Sequence, residues 1–259
     1  MRARADYTTN DVDIVPAASL LAEPARAAML TAMLDDRPLA AGELARLAGV
    51  SPATASAHLA RLLHGGMVTV IRQGRHRYYR LAGPEVAAVM EALAHLSPVT
   101  PVRSLRQSQD AAALAQARTC YDHLAGRAGV ALLDALLARG FLARLPGGEP
   151  ANGGGPARNS VQQEHRLTDR FEVTASGLAT LSAFGLNIAV LERTRRRFAG
   201  ACLDWTERKP HLNGALGAAV TARLLGLGWI ERGQRRRAVR VTPAGAEGLA
   251  ATFGWSLES

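Results

Sequence analysis

The sequence predicts a mostly α-helical protein with small β-hairpin wings, an α+β fold. Hydrophobic residues make up 48% of the 259 positions and aromatic residues only 5%, and an apolar content of small and aliphatic residues favours helices. A pattern of helix, Gly, strand, turn and strand also occurs three times. Because a chain of this length can build two separate cores, we expect two domains.

The predicted domain boundaries follow from polar composition, Gly turns and a Pro-containing stretch of the sequence. Residues 1–13 are polar and are expected to form a flexible N-terminus, whereas residues 14–97 alternate short helical patterns with Gly turns. A Pro-containing stretch then marks a linker over residues 98–106. Residues 107–259 are expected to form the second domain, which would carry effector binding or oligomerisation.

Composition indicates partners and compartment. Lys and Arg outnumber Asp and Glu by 31 to 22, a formal net charge of +9, which suits a polyanion but is equally typical of a solvated basic surface. No apolar stretch reaches the roughly 18 residues of a membrane span. The residues after Arg2 and Arg4 do not resemble a secretory signal. Cys120 and Cys202 are the only cysteines in the sequence. We therefore expect a cytoplasmic protein without a membrane partner.

The strongest local pattern lies in residues 43–62 and is typical of a helix-turn-helix. Gly49 tolerates a positive φ angle and is expected to close the first helix. Ser51 and Pro52 then supply the N-cap and the first residue of a second helix. The buried stripe of this second helix is predicted to consist of Ala55, Leu59 and Leu62.

The opposite face of the second helix carries candidate DNA-reading residues. They offer short polar side chains, a methyl group or a positive charge, which a helix in the major groove needs to approach base edges and phosphates. The face consists of Ser51, Thr54, Ser56, Ala57, His58 and Arg61. An ordinary pair of packed helices with a polar solvent face gives the same pattern, so the residues that follow decide between the two interpretations.

A predicted β-hairpin follows and concentrates positive charge beside the candidate reading helix. Residues 67–72 and 76–81 are β-prone, and Gln73, Gly74 and Arg75 between them are a hairpin turn signal. A ribbon tipped with cations lies along a phosphate backbone or enters the neighbouring minor groove. The candidate DNA contacts at its tip are Arg72, Arg75, His76 and Arg77. Both parts together predict a winged helix-turn-helix that binds double-stranded DNA.

Residues 14–96 resemble the ArsR/SmtB repressors, in the segment ELARLAGVSPATASAHLARLLHGGMV and in the wing VIRQGRHRYYRL. The resemblance covers about a third of the chain. It implies a homodimer that pairs through the first and last helices of this domain, near residues 17–21 and 85–96. It also implies a sequence-specific transcriptional repressor on a palindromic operator, with half-sites about one helical turn apart.

The chain departs from this family where other members bind metal. Metal-sensing members carry a Cys-x-Cys pattern on the helix before the turn, where residues 43–47 are Glu-Leu-Ala-Arg-Leu. Others bind metal on the last helix through Asp/His and His/Glu pairs, and residues 84–91 offer no such pair. We therefore expect a metal, thiol-redox or small-effector signal to act on the C-terminal domain.

The C-terminal domain is predicted to contain two winged-helix-like repeats, about residues 119–186 and 202–255. HLAG at 123–126 matches HLNG at 211–214, and VTASG at 173–177 matches VTPAG at 241–245. The first copy is longer within residues 146–165, whose Gly-rich composition predicts a long flexible loop. The helices of both copies are almost wholly apolar, so only the first domain is expected to read bases.

Four side chains of the repeats form a candidate metal site: Cys120, His123, Cys202 and His211. Two thiols and two imidazoles suit zinc or another divalent metal. The spacing leaves open metal binding, a redox-sensing thiol pair, and a structural role in which the cysteines are buried in helices and the histidines fix equivalent turns. Two basic runs, 193–197 and 235–237, are either phosphate contacts or solvated loops, and solvation is favoured for the second.

No catalytic residues are predicted. The sequence has no nucleophile elbow, no phosphate-cradling Gly loop before a helix and no His-Glu-x-x-His motif. We therefore expect a DNA-binding regulator rather than an enzyme. The alternative function is a winged-helix interaction or architectural module that does not read DNA sequence.

Overall fold

The computed structural model describes residues 12–98, 104–145 and 169–257. It confirms the predicted fold class, because these residues form mostly helices together with small antiparallel hairpins. No helix within these three ranges is both long and apolar enough to span a bilayer. Most of the predicted flexible N-terminus and all of the predicted loop at 146–165 lie outside the described residues.

The first unit of the chain, residues 1–90, contains the helix-turn-helix and the wing. Its elements are α1 (Val15–Leu21), α2 (Pro24–Ala32), β1 (Leu39–Ala40), α3 (Ala41–Ala48), α4 (Pro52–His64), β2 (Val68–Gln73), β3 (His76–Leu81) and the start of α5 (Pro84–Leu96). The three strands form one antiparallel sheet in the order β1-β3-β2. The sequence did not predict β1, because a two-residue strand has no measurable alternation.

The turn of the helix-turn-helix forms for the reasons that the sequence predicts. Gly49 ends α3 in the left-handed region at φ +66, a conformation that costs Gly little. Ser51 caps α4, since its hydroxyl accepts a hydrogen bond of 3.1 Å from the backbone N–H of Thr54. Pro52 at the first helical position lacks only an N–H that would have no partner in the helix. These residues fix where α4 begins.

The second unit, residues 91–259, begins inside α5 and holds two similar sets of elements. Its elements after α5 are α6 (Leu105–Gln116), β4 (Arg118–Cys120), β5 (His123–Ala125), α7 (Gly126–Ala138), β6 (Leu142–Arg144), β7 (Phe171–Val173), α8 (Ala175–Ala183), α9 (Ile188–Glu192), β8 (Gly200–Leu203), β9 (Pro210–Asn213), α10 (Gly214–Gly226), β10 (Ile230–Arg232), β11 (Val239–Val241) and α11 (Pro243–Phe253). Hairpin, helix, hairpin and helix therefore follow each other twice. The common origin of the two sets stays a prediction.

Local contacts are also repeated between the two sets. Thr174 caps α8 by accepting a hydrogen bond from the Gly177 N–H, and Thr242 caps α11 by accepting one from the Gly245 N–H, both at 3.0 Å. Apolar residues of both sets, such as Leu133 of α7, are buried in one shared core. The two matching sequence segments VTASG and VTPAG therefore correspond to two equivalent helix starts.

Two expectations about the second unit need correction. Residues 105 and 106 of the predicted linker belong to α6. The run at 235–237 is not a solvated loop throughout, because Arg237 pairs with the buried carboxylate of Glu91 and donates a 3.1 Å hydrogen bond to the Thr119 carbonyl. Arg196, in the other basic run, pairs with Asp122. Both runs thus contribute to the structure of this unit.

Candidate DNA-binding surface and a buried Cys/His cluster

Helix α4 separates an anchoring face from an exposed face. Ala55, Leu59 and Leu62 are fully buried, as the sequence predicts. The exposed residues on the other side are Ser51, Thr54, Ser56, Ala57 and Arg61. A helix that is held by one apolar stripe can present its opposite side to a groove without losing its own packing.

Three hydroxyls on the exposed face already make hydrogen bonds within the helix or its cap. The Ser51 hydroxyl caps α4, as described above, and lies 2.8 Å from the Thr54 hydroxyl. The Ser56 hydroxyl donates a 2.9 Å hydrogen bond to the Pro52 carbonyl. Arg61 makes no ion pair within residues 12–98, so its guanidinium is the group on this face that is free to bind DNA.

His58 differs from the other predicted reading residues. Its side chain is only 15% exposed, and Nδ1 lies 3.5 Å from Oε2 of Glu23. The Glu23 carboxylate caps α2 by accepting hydrogen bonds from the Arg26 and Ala25 N–H groups, at 2.9 and 3.2 Å. The hydrogen bond from Arg26 is the main cause that keeps the pKa of Glu23 below its usual range. His58 is therefore held against α2, with less of its surface available to a base than Arg61.

The wing is a regular hairpin with a cationic tip. Strands β2 and β3 pair from Val68 with Leu81 to Gln73 with His76. The two-residue loop that remains has Gly74 at φ +58, which a residue with a side chain rarely adopts. The exposed side chains at this end are Arg72, Arg75, His76 and Arg77. Among the described residues of this unit, none of these three arginines makes an ion pair.

The structure brings the four candidate metal ligands of the second unit together. One ligand atom from each of Cys120, His123, Cys202 and His211 lies within 4.8 Å of the other three. Cys120 pairs directly with His123 across β4 and β5, and Cys202 pairs directly with His211 across β8 and β9. Both cysteines therefore lie in strands, and the interpretation that places them in helices is wrong.

Comparison with known proteins identifies the class of protein. A helix-turn-helix domain family matches residues 21–71. The uncharacterized HTH-type transcriptional regulator YdfF of Bacillus subtilis (strain 168) is 40% identical to the chain over 233 residues, which cover 90% of this chain and 93% of that protein. The chain belongs to the HTH-type transcriptional regulators. The matched residues 21–71 contain the helix-turn-helix that the sequence predicts.

Solved structures similar to this regulator cover about a third of it. HlyU from Vibrio cholerae N16961 is 33% identical, covers 32% of this chain and 88% of its own, and superposes with a TM-score of 0.29. The homodimeric winged helix-turn-helix DNA-binding domain Mb0332 from Mycobacterium bovis is 30% identical, with a coverage of 34% and 88% and a TM-score of 0.29.

The Cys/His cluster of this regulator is buried and incompletely hydrogen-bonded. Cys120, His123 and His211 are buried, and Cys202 is half-buried. Within the described residues, Nε2 of His123 and both ring nitrogens of His211 have no hydrogen-bond partner. A buried polar group without a partner costs about 1–3 kcal/mol. A ligand that coordinates or hydrogen-bonds these ring nitrogens would therefore stabilise the cluster.

Electrostatics at the cluster favour a neutral thiol at Cys120. The contact with the Cys202 thiol and burial raise the pKa of Cys120 well above its usual range. Burial and the charge of His123 lower the pKa of His211 well below its usual range. Burial would lower the pKa of His123 too, but Cys120 and Asp122 outweigh it and raise that pKa to about 9. Since the thiolate is the reactive form of Cys, Cys120 is a poor nucleophile in this environment.

Two aspartates support the histidines. Asp122 Oδ1 lies 3.2 Å from Nδ1 of His123, and Asp204 Oδ2 lies 3.5 Å from Nδ1 of His211. The fully buried Arg118 donates a 2.9 Å hydrogen bond to Asp204 and holds the pKa of that carboxyl well below its usual range, against the effect of burial. The sequence already places both aspartates beside the candidate ligands, in the Cys-x-Asp pattern that occurs at 120–122 and again at 202–204, but it gives no signal for Arg118.

Proposed function

We propose that this regulator is a homodimeric repressor that binds a palindromic operator, with α4 in the major groove and the wing on the adjacent backbone. The observation that carries the proposal is the position of Arg61 on the exposed face of an anchored helix, together with a wing tip of exposed arginines that make no ion pair within residues 12–98. A guanidinium binds guanine edges or phosphate oxygens through two parallel hydrogen bonds.

The two parts of the surface have different tasks. Ala57 and Arg61 on α4 supply a methyl group and a cation that can distinguish bases. Arg72, Arg75 and Arg77 on the wing supply charge that neutralises phosphates and is insensitive to sequence. The release of counterions from those phosphates supplies affinity that falls as salt rises.

Dimerisation is supported by exposed apolar side chains on the two helices that the family resemblance implicates. They are Ile14 and Val15 at the start of α1, and Val89, Leu93 and Leu96 on α5. Helix α1 buries none of its own residues within the chain. Removing these apolar side chains from water favours association. Two copies would present two reading helices to the two half-sites of an operator.

The second unit is the proposed place of control. Its helices α7 and α10, which correspond in sequence to the reading helix, bury more than half of their residues. It contains the Cys/His cluster, which can respond to a metal, to oxidation or to a small effector. The proposal of a repressor does not depend on which of these signals acts.

Selection from a pool of random duplexes, followed by footprinting, tests the function. We expect a two-fold symmetric site with half-sites about 10–10.5 base pairs apart, centre to centre. Affinity for this site should fall linearly on a log–log plot against salt, with a slope of about −0.9 for each phosphate contacted. Equal affinity for the selected and a shuffled duplex would contradict the proposal and favour an architectural or interaction module.

A further inference from the structure

We propose that Cys120, His123, Cys202 and His211 bind one divalent ion of the zinc type, in a closed four-ligand site that fastens hairpin β4–β5 to hairpin β8–β9. The site stands on the geometry of the second unit alone and does not depend on DNA binding. It also differs in position from both sites at which metal-sensing relatives of the first unit bind metal.

Each hairpin contributes one thiol and one imidazole from directly opposite positions. Side chains of directly opposed residues project from the same face of a hairpin and lie about 4.5–5.5 Å apart at Cβ. Cys120 and His123 form such a pair, and so do Cys202 and His211. Each hairpin is therefore a bidentate half-site. The two half-sites face each other, and their four ligand atoms all lie within 4.8 Å of one another.

The two half-sites occupy equivalent places in the two sets of elements. Gly129 of α7 approaches the Cβ of His211, and Gly217 of α10 approaches the Cβ of His123, so that a Cβ built on either Gly would lie 3.5 or 3.3 Å away. Both rings are stacked at a centroid distance of 5.1 Å. A glycine of each repeat thus packs closely against the histidine of the other repeat, and the cluster lies between the two repeats.

The distances fit a tetrahedral ion better than a disulfide. Zn–S bonds of about 2.3 Å and Zn–N bonds of about 2.0–2.1 Å imply separations of about 3.3–3.8 Å between ligand atoms. The two sulfur atoms lie 3.8 Å apart, which is the separation that two thiolates on one zinc ion adopt. A disulfide would require about 2.05 Å. The other pairs lie within 4.8 Å and need to close by no more than about 1.5 Å, which side-chain rotation permits.

The histidines are also oriented as metal ligands usually are. A metal-binding imidazole commonly gives its second nitrogen to a carboxylate, which fixes the ring and its tautomer. Asp122 occupies this position and is hydrogen-bonded to Nδ1 of His123, whereas Asp204 lies on the Nδ1 side of His211 at 3.5 Å without a hydrogen bond. The Nε2 atoms of both rings remain, buried and without a hydrogen bond within the described chain. An ion at the centre would use both nitrogens and both sulfurs, with release of the thiol protons to solvent.

Metal analysis of the full chain tests the site. The protein is purified under reducing conditions without a metal-affinity tag, and zinc is measured by elemental analysis before and after reconstitution. We expect one zinc per chain, and on exchange with Co²⁺ we expect the sulfur-to-cobalt charge-transfer band and the intense visible bands of a tetrahedral site. Cys120→Ser and Cys202→Ser should lose the bound metal, whereas His64→Gln, which removes an exposed imidazole from the first unit, should keep it.

A second variant keeps the proposal testable if loss of a ligand prevents folding. Asp122→Asn should keep one metal per chain but lower its affinity about 10–100-fold in competition with a chromophoric chelator, because only the support of His123 changes. The proposal is overturned if reduced, folded wild-type protein takes up no stoichiometric zinc or cobalt. It is equally overturned if the Cys→Ser variants bind as much metal as wild type, or if the reduced protein binds no metal and air oxidation joins Cys120 to Cys202.

Discussion

At the scale of single residues, the exposed face of α4 is less uniform than its sequence suggests. Arg61 and His58 lie one turn apart on this helix, and the sequence predicts that both read DNA. The structure gives His58 an internal partner, Glu23, and leaves Arg61 exposed without an ion pair in the first unit. A sequence pattern gives the face of a helix but not the reach of a neighbouring helix, so it could not separate these two residues.

Arg61→Ala should lower the preference of the protein for its operator over a random duplex by about 5- to 150-fold, since one base contact contributes about 1–3 kcal/mol of discrimination. His58→Ala should change this preference less.

Arg75→Ala should weaken binding to the operator and to a random duplex by the same factor, because a wing cation contacts phosphate. Arg106→Ala on α6 removes the same charge from an exposed helix of the second unit and serves as the control. Fluorescence anisotropy with both duplexes measures all four variants, and an unchanged preference in Arg61→Ala would count against α4 as the reader.

At the scale of elements, the sequence predicts those that carry strong local signals. Gly49 and Ser51 mark the ends of α3 and α4, and the Gln73-Gly74-Arg75 turn marks the wing. The hairpins β4–β5 and β8–β9 have no such signal, because strands of three or four residues are too short for alternation. The cluster depends on these hairpins, and the contact between Cys120 and Cys202, which are 82 positions apart, is decided by packing. The ligands could therefore be named from the sequence, but their meeting could not be derived from it.

The repeated Val-Thr-x-x-Gly segment has a packing explanation at the same scale. In each copy the Thr hydroxyl also donates a hydrogen bond to the carbonyl of a Gly that ends the preceding helix, Gly140 or Gly228. The Gly within each segment also lies close to backbone. A Cβ added to Gly177 would be 2.0 Å from the Phe141 carbonyl oxygen, and one added to Gly245 would be 1.9 Å from the Trp229 carbonyl oxygen. Only Gly allows α8 and α11 to begin against these strands.

Gly245→Ala should therefore destabilise the second unit, by about 1–3 kcal/mol or more, because backbone must move to admit the methyl group. Gly226→Ala at the end of α10 is a matched control, since no atom lies within 4 Å of its added Cβ. The control should be neutral or stabilising by up to about 1 kcal/mol through helix propensity. Urea unfolding followed by circular dichroism compares the two. Equal stability of both variants would mean that the close approach at Trp229 does not restrict this position.

At the scale of the whole molecule, the charge and the apolar surface of the chain have separate places. The cations proposed to contact DNA lie at the tip of the wing, whereas arginines of the second unit such as Arg118 and Arg237 pair with buried carboxylates. Each of these pairs is neutral, so these two arginines add nothing to the net charge of +9 that a polyanion meets. Exposed apolar side chains, in contrast, recur along α5, where Val89 and Leu93 are one turn apart.

The double variant Val89→Glu, Leu93→Glu should abolish the dimer, because two like charges per chain would have to be buried against the same charges of the second copy. Both side chains are 40% or more exposed in the single chain, so the fold itself should tolerate the change. Sedimentation should give twice the 27.4 kDa chain mass for wild type and the single chain mass for the double variant. Leu178→Glu is the control, because Leu178 on α8 has the same 48% exposure as Val89, and this variant should keep the dimer mass. Since a single chain can occupy only one half-site, operator affinity should fall with the dimer and binding to an isolated half-site should persist. A double variant that stays dimeric, or that binds the whole operator as tightly as wild type when monomeric, would exclude α5 as the pairing surface on which the palindromic operator depends.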